Sequence, residues 1–183
     1  METVIKDYMM SKFQQCGLLS RNQHAFLKRH STTTNLLDST RDWVSALRRF
    51  SCVDVAYIDF SRVFDSIIHR KLLAKLSAYG VSGPLHMWIA AFLRNRNQCV
   101  RIGNCLSPSV CVTSGVPQGS VLGPILFIVY INDVTDILVD DVSCKLYADD
   151  LKLYCPIDPT LGFSESLQTS LDNLCDWSLK WQL

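Results

Sequence analysis

Little in this chain leans to an extreme, and each shortage closes off a class of protein. Positive and negative side chains nearly cancel, leaving a formal charge of +1 over 183 residues. Whole-chain attraction to nucleic acid or acidic lipid is therefore absent, and any phosphate contact must come from local basic groups. Such groups are small: Lys28-Arg29-His30, Arg48-Arg49, Arg70-Lys71, and Arg94 with Arg96 and Arg101. A solvated face accounts for any one of them as readily as a phosphate does. No apolar run reaches the roughly 18 to 20 residues of a membrane span. The longest, Val121 to Ile131, fits a buried core helix. Met1 to Met10 is mixed in charge and lacks the apolar stretch of a signal peptide. The expectation is an intracellular chain, in the nucleus or cytoplasm, neither secreted nor membrane-bound.

Cysteine is present without its usual patterns. Eight are scattered with no C-x-x-C and no histidine pair at zinc spacing, which excludes the common structural zinc sites. Cys52, Cys111 and Cys144 sit inside apolar runs, where reduced cysteine serves as a small buried hydrophobe. The four histidines, His24, His30, His69 and His86, show no catalytic partner pattern. Repeats and low-complexity tracts are missing too, and 48% of the residues are apolar, enough for a packed core.

What is present is an irregular alternation of helix and strand signals. Val4, Ile5, Tyr8, Met9 and Phe13 recur at helical spacing. Gly17 to Thr34 has no period and reads as a long loop or ribbon. Leu36, Trp43, Val44, Leu47 and Phe50 predict a helix whose N-cap lies in the Ser31–Thr34 cluster. Val53 to Phe60 is β-branched and aromatic, a strand. Asp65 is placed to cap the following helix, which carries Ile68, Leu72, Leu76 and Tyr79 and ends at Gly80. Pro84 opens another, with Leu85, Trp88, Ile89, Phe92 and Leu93 on one face. Gln98 to Ile102 and Ser109 to Thr113 predict a strand pair around Gly103-Asn104. A buried helix follows Pro124, and a last helix carries Leu167, Leu171, Leu174, Trp177 and Trp181. The pattern predicts an α+β fold, an antiparallel sheet with helices packed on one face.

The chemistry concentrates in Tyr147-Ala148-Asp149-Asp150, between Cys144-Lys145-Leu146 and Leu151-Lys152-Leu153-Tyr154. Aspartates at a turn have an ordinary backbone explanation. A third acid, Asp59, ends the Val53–Phe60 strand on the parity of Val53, Val55 and Tyr57. Were Asp59 to meet Asp149, carboxylates about 4 Å apart would repel by several kcal/mol per pair. A hard divalent cation relieves that repulsion. A second segment, Ser114-Gly115-Val116-Pro117-Gln118-Gly119-Ser120, offers two glycines for close backbone approach and an amide that donates and accepts. It reads equally as a plain loop before a helix.

Three stretches, Ala56-Tyr57-Ile58-Asp59-Phe60-Ser61-Arg62-Val63-Phe64-Asp65, Ser114 through Pro124, and Tyr147-Ala148-Asp149-Asp150, resemble motifs A, B and C of reverse transcriptases in order and spacing. Asn22-Gln23-His24-Ala25-Phe26, His30-Ser31-Thr32, Ile131-Asn132-Asp133 and the tail Trp177 to Leu183 are similar to the non-LTR (LINE-type) retrotransposon enzymes. Departures are Ala25 where relatives usually have Gly, Leu27 where many have Arg, and Val63 where Ala is commoner.

The resemblance implies a reverse-transcriptase palm with part of the fingers: fingers about 1–50, palm about 51–183, truncated at both ends, thumb and endonuclease absent. It implies that Asp59, Asp149 and Asp150 are catalytic and hold two magnesium ions, with manganese as the alternative. Phe60, Phe64, Gln118 and Gly119 would meet the incoming nucleotide. Phe64 would lie beneath its sugar, though a core aromatic explains that residue equally well. Ser114, Gly115, Pro117 and Tyr147 would meet template and primer. The implied partners are an RNA template, a DNA primer and deoxynucleoside triphosphates. The expected function is RNA-directed DNA polymerisation; the alternative is an inactive remnant that at most binds nucleic acid.

Overall fold

In the computed structural model, which describes residues 1–50, 52–157, 160 and 164–183, helix α1 (Glu2–Gln15) and helix α2 (Thr32–Leu47) precede strand β1 (Cys52–Ile58). A single turn, α3 (Val63–Ser66), leads into α4 (His69–Ala78) and α5 (Gly83–Leu93). Four two-residue strands follow: β2 (Asn97–Gln98), β3 (Arg101–Ile102), β4 (Cys105–Leu106) and β5 (Val110–Cys111). Then come α6 (Gly123–Ile131), a 3-10 segment Asn132–Ile137, β6 (Ser143–Tyr147), β7 (Asp150–Ile157) and α7 (Glu165–Trp181).

The sheet runs β1-β7-β6, antiparallel throughout, so the late hairpin inserts its second strand beside β1. Alternation splits it into two faces. Leu151, Leu153 and Cys155 point into the main core with Cys144 and Leu146, joined there by Leu167, Leu174 and Trp177 of α7. Helix α6 is the centre of that core: all of its residues except Pro124 are buried. An element apolar all round must be enclosed, as its sequence requires.

The reverse face is covered by α2, so helices lie on both sides of the sheet. The sequence expectation for α2 reverses here. Leu36, Leu37, Val44 and Leu47 are exposed, whereas Asn35 and Ser39 are buried. The cause is Lys152, which stands mid-strand in β7 with only 8% exposure and donates to Asn35 Oδ1 and Ser39 Oγ. A buried ammonium requires oxygen acceptors, so α2 turns its polar side inward. Lys145 pairs with Asp42 at 3.3 Å, and the Tyr154 hydroxyl donates to the same carboxylate. Tyr57, on this face of β1, is 72% exposed.

Three local expectations change. Asp65 is not a cap: it sits inside α3, and the N-cap of α4 is Ile68, with no side-chain cap bond. The strand pair around Gly103-Asn104 divides into two ladders, β3 with β4 at the tip and β2 with β5 at the base. Cys111 is exposed and Cys52 half-buried, so only Cys144 of those three behaves as a fully buried hydrophobe. Ser31, by contrast, does cap α2, forming a reciprocal box with Thr34.

Candidate active site

The acid turn is tighter than its sequence suggests. Tyr147 pairs with Asp150 across the hairpin, so Ala148 and Asp149 form a two-residue loop and Asp150 already belongs to β7. Ala148 adopts φ +56°, a left-handed conformation that two-residue hairpins require and that a Cβ resists by roughly 1–2 kcal/mol. A buried side chain holds it there. Gln23, 2% exposed, accepts the Ala148 amide at 3.0 Å and donates to the Ala148 carbonyl at 3.3 Å. On either side of Gln23 the loop lies along β6: Leu146 donates to the Asn22 carbonyl at 2.8 Å, and His24 donates to the Leu146 carbonyl at 2.9 Å. Sequence reasoning assigned Gln23 no role. Nothing local marks it, because its partner is 125 positions away.

Asp59 follows β1 where that strand meets β7, and Tyr147, Asp150 and Asp59 line one groove of about 360 Å³ with Tyr57, Leu36 and Lys152. Asp149 is held above the ordinary carboxylate range, first by burial and then by the charges of Asp150 and Asp59; a bond to its own amide opposes this. The charges of Asp150 and Asp59 thus reach Asp149. None enters an ion pair among the described residues, since Lys145 is turned to Asp42 and Lys152 to α2. Among the described residues, no three Asp, Glu, His or Cys side chains are gathered closely enough to hold a metal ion. The donor chemistry, oxygen-only and uncompensated, nonetheless fits a hard divalent cation.

The Pro-Gln-Gly loop is fastened to α3. The amides of Val116 and Gly115 donate to the carbonyls of Phe64 and Ile67, both at 2.8 Å. Ser114 Oγ donates to the Asp65 carbonyl at 2.8 Å, and Gln118 Nε2 donates to Asp65 Oδ1 at 3.0 Å. Gly115 has φ +84°, and a Cβ there would fall 2.8 Å from both Asp65 Cα and the Phe64 carbonyl. Its missing side chain makes room for the chain's own backbone. Gly119, at φ +81°, faces open space instead.

Most of the predicted residues therefore fall into two groups. Asp59, Tyr147 and Asp150 share the acid groove, with Asp149 coupled to it. Ser114, Gly115, Pro117 and Gln118 line a second groove with Asp65 and Arg96. Phe60 packs against the core near Trp177, and Phe64 stacks on buried Phe127 with centroids 4.1 Å apart and planes 24° apart.

Comparison with known proteins agrees across the chain. Residues 2–183 match the family model described as reverse transcriptase (RNA-dependent DNA polymerase). The RNA-directed DNA polymerase from mobile element jockey of Drosophila funebris is 26% identical over 189 residues, covering 100% of this chain and 20% of that protein. The probable RNA-directed DNA polymerase from transposon BS of Drosophila melanogaster is 28% identical over 188 residues, covering 100% of this chain and 21% of its own length. The chain thus spans about a fifth of these curated relatives. Apo telomerase from Candida tropicalis, truncated from its C-terminal domain, superposes with a TM-score of 0.63 at 12% identity, over 93% of this chain and 36% of that one. That likeness establishes the fold alone. No helix among the described residues is long and apolar enough to cross a membrane.

Proposed function

The chain belongs to the reverse transcriptase family, and from that premise we propose that it is the fingers-and-palm portion of an RNA-directed DNA polymerase of a non-LTR mobile element. The supporting observation is that Asp59 and Asp150 line one groove beside Asp149, and that none of the three acids enters an ion pair among the described residues. In this reading, residues up to about 50 belong to the fingers and the remainder to the palm.

Divalent metal use is general to the family; here magnesium, or manganese in its place, would be held by Asp59, Asp149 and Asp150, with the Phe60 carbonyl as a further oxygen. Such ions neutralise charge on the attacking and leaving oxygens of a phosphoryl transfer. The reaction is attack of a primer 3′-hydroxyl on the α-phosphate of a deoxynucleoside triphosphate, with pyrophosphate departing. The chain's own part is mainly positioning. Asp65 orients the Gln118 amide toward the incoming nucleotide, and Gly119 leaves its approach open. Phe127 stiffens Phe64 from behind, so that the ring rejects a 2′-hydroxyl. Tyr147 stands beside the primer terminus, while Ser114, Gly115 and Pro117 form the template side of the loop.

Two measurements test this reading. Primer extension on an RNA template should require magnesium and vanish in Asp149→Asn. Magnesium binding followed by calorimetry should weaken at least tenfold in Asp59→Asn, an effect of about 1.4 kcal/mol. Extension that persists in Asp149→Asn would sink the assignment. Metal binding without extension would leave the inactive, nucleic-acid-binding alternative.

A further inference from the structure

His24 shows no partner pattern in the sequence, yet it is 2% exposed and adjoins the residue that grips the acid turn. Its segment runs along β6, with Gln23 and Leu146 bridged in parallel. The Gln23 side chain reaches the Ala148 turn, whereas the His24 ring reaches the first turn of α2, where Nδ1 stands 2.9 Å from Thr34 Oγ1. The His24 amide donates to the Leu146 carbonyl, which also accepts from the Asn35 side chain of α2 at 3.0 Å. His24 is thus the joint between the gripping segment, the strand that leads to the turn, and α2.

The hydrogens at this joint follow from counting. A hydroxyl has one hydrogen and two lone pairs. Thr34 Oγ1 lies 2.9 Å from the Ser31 carbonyl, which has no hydrogen to give, so the hydroxyl's own hydrogen points there. One lone pair accepts the Ser31 amide at 2.8 Å. Only a lone pair remains for His24, so Nδ1 is the donor and the neutral ring is the Nδ1–H tautomer. Nε2 is then a bare acceptor, buried and without a hydrogen-bond partner among the described residues; Asp38 Oδ2 faces it at 3.6 Å. A second proton would complete a bond to that carboxylate, which Arg41 also approaches at 3.7 Å. Burial opposes the second proton most, then the charges of His30, with its ring centroid 5.0 Å away, and of Lys145 and Lys152 on the sheet; Asp38 alone favours it. The pKa lies below the ordinary imidazole value, and the neutral ring is the form present at neutral pH.

A buried polar atom without a partner is costly, and an apolar ring would fill the same space without one. What the imidazole adds is the Nδ1 bond. We infer that His24 is a positioning residue for the acid turn: through that bond α2 fixes the segment from which Gln23 holds Ala148, and with it the place of Asp149. His24 acts through Gln23 and Leu146, not on the reacting atoms. Its effect on turnover rests on the polymerase reading; the tether does not.

Three measurements on the whole chain test the inference. Nitrogen NMR of the His24 ring in the folded parent, at about pH 7, should show Nδ1 protonated and Nε2 bare. The opposite tautomer or a doubly protonated ring overturns the assignment, and this needs no variant that folds. Asparagine carries an N–H where Nδ1 stands, and glutamine carries one where Nε2 stands. Amide hydrogen exchange is read at Ala148 relative to Leu153, which is paired on both sides in mid-sheet, so that a global loss of stability cancels. The ratio should rise about tenfold in His24→Gln and His24→Leu and return to within about threefold of the parent in His24→Asn. An unmoved ratio in the first two, or an equal rise in His24→Asn, overturns the tether. In primer extension with magnesium, His24→Gln should lose about tenfold in kcat with the KM for deoxynucleotide nearly kept, and His24→Asn should recover it. A raised exchange ratio with unchanged kcat overturns the positioning role. Exchange as expected, with no extension by the parent, defeats the polymerase reading alone.

Discussion

Gln23 grips Ala148 by both backbone polar groups, accepting its amide hydrogen at 3.0 Å and donating to its carbonyl at 3.3 Å. A left-handed alanine persists only where its surroundings over-determine it, and here one side chain from a remote loop supplies that constraint. The conformation that presents Asp149 is therefore set from outside the hairpin.

Gln23→Leu keeps the volume and deletes three bonds, because Gln23 Oε1 also accepts the buried Ala25 amide at 2.9 Å, leaving three buried backbone groups without these partners. Urea denaturation should show a loss of about 2–4 kcal/mol. In primer extension the turnover should fall in the variant under conditions where it remains fully folded.

Gly115→Ala tests the junction between the Pro-Gln-Gly loop and α3. With φ +84° and backbone 2.8 Å from the new Cβ, the loop must move away from α3. A destabilisation of about 2–4 kcal/mol is expected. Gly119→Ala shares the positive φ but has nothing within 4 Å of its Cβ, so its cost should be the smaller, about 1 kcal/mol.

Phe64→Val should raise ribonucleotide incorporation relative to deoxyribonucleotide, read by competition in the extension assay. Because the ring also stacks on Phe127 at 4.1 Å, the same change should cost roughly 1–3 kcal/mol of stability. Loss of stability without any change in sugar selection would reduce Phe64 to a core aromatic.

Lys75 predicts an unusual pH response. Its ammonium is buried, donates to the Tyr130 carbonyl and Asp133, and lies 3.6 Å from the centroid of the Trp181 ring. Burial lowers its pKa to about 8. Above that pH the unfolded chain binds a proton that the folded chain does not, so stability rises with pH until the unfolded value near 10.5. Between pH 8 and 9 the difference between parent and Lys75→Met should move in the parent's favour by about 1 kcal/mol. Comparison with the variant cancels Cys144, whose raised pKa acts oppositely above pH 9. A flat difference across that interval would mean Lys75 is not desolvated.

Elements defined by strong periodicity or by turn residues were legible in sequence: α6 from its unbroken apolar run, α5 from Pro84, and the acid hairpin from its paired apolar segments. That Asp59 would stand beside the acid hairpin was legible from the parity of β1, the strand that pairs with β7. Missed was whatever depended on a distant partner. Periodicity assumes that apolar residues face inward, and α2 breaks that assumption for Lys152, which belongs to a strand more than a hundred residues later. Asp65 has the chemistry of a cap and the position of a hinge pin, serving Ser114 and Gln118 instead of an adjacent helix.

The sheet is closed by unlike materials on its two sides. One face rests on hydrocarbon; the other is tied to α2 by Lys152, Asn35, Ser39, Tyr154 and Asp42. Apolar burial keeps its strength on warming, whereas a seam of directional bonds loosens once water competes for its donors. Heat should therefore peel α2 from the sheet first. The acid turn, gripped separately by Gln23, can outlast the helix that roofs it.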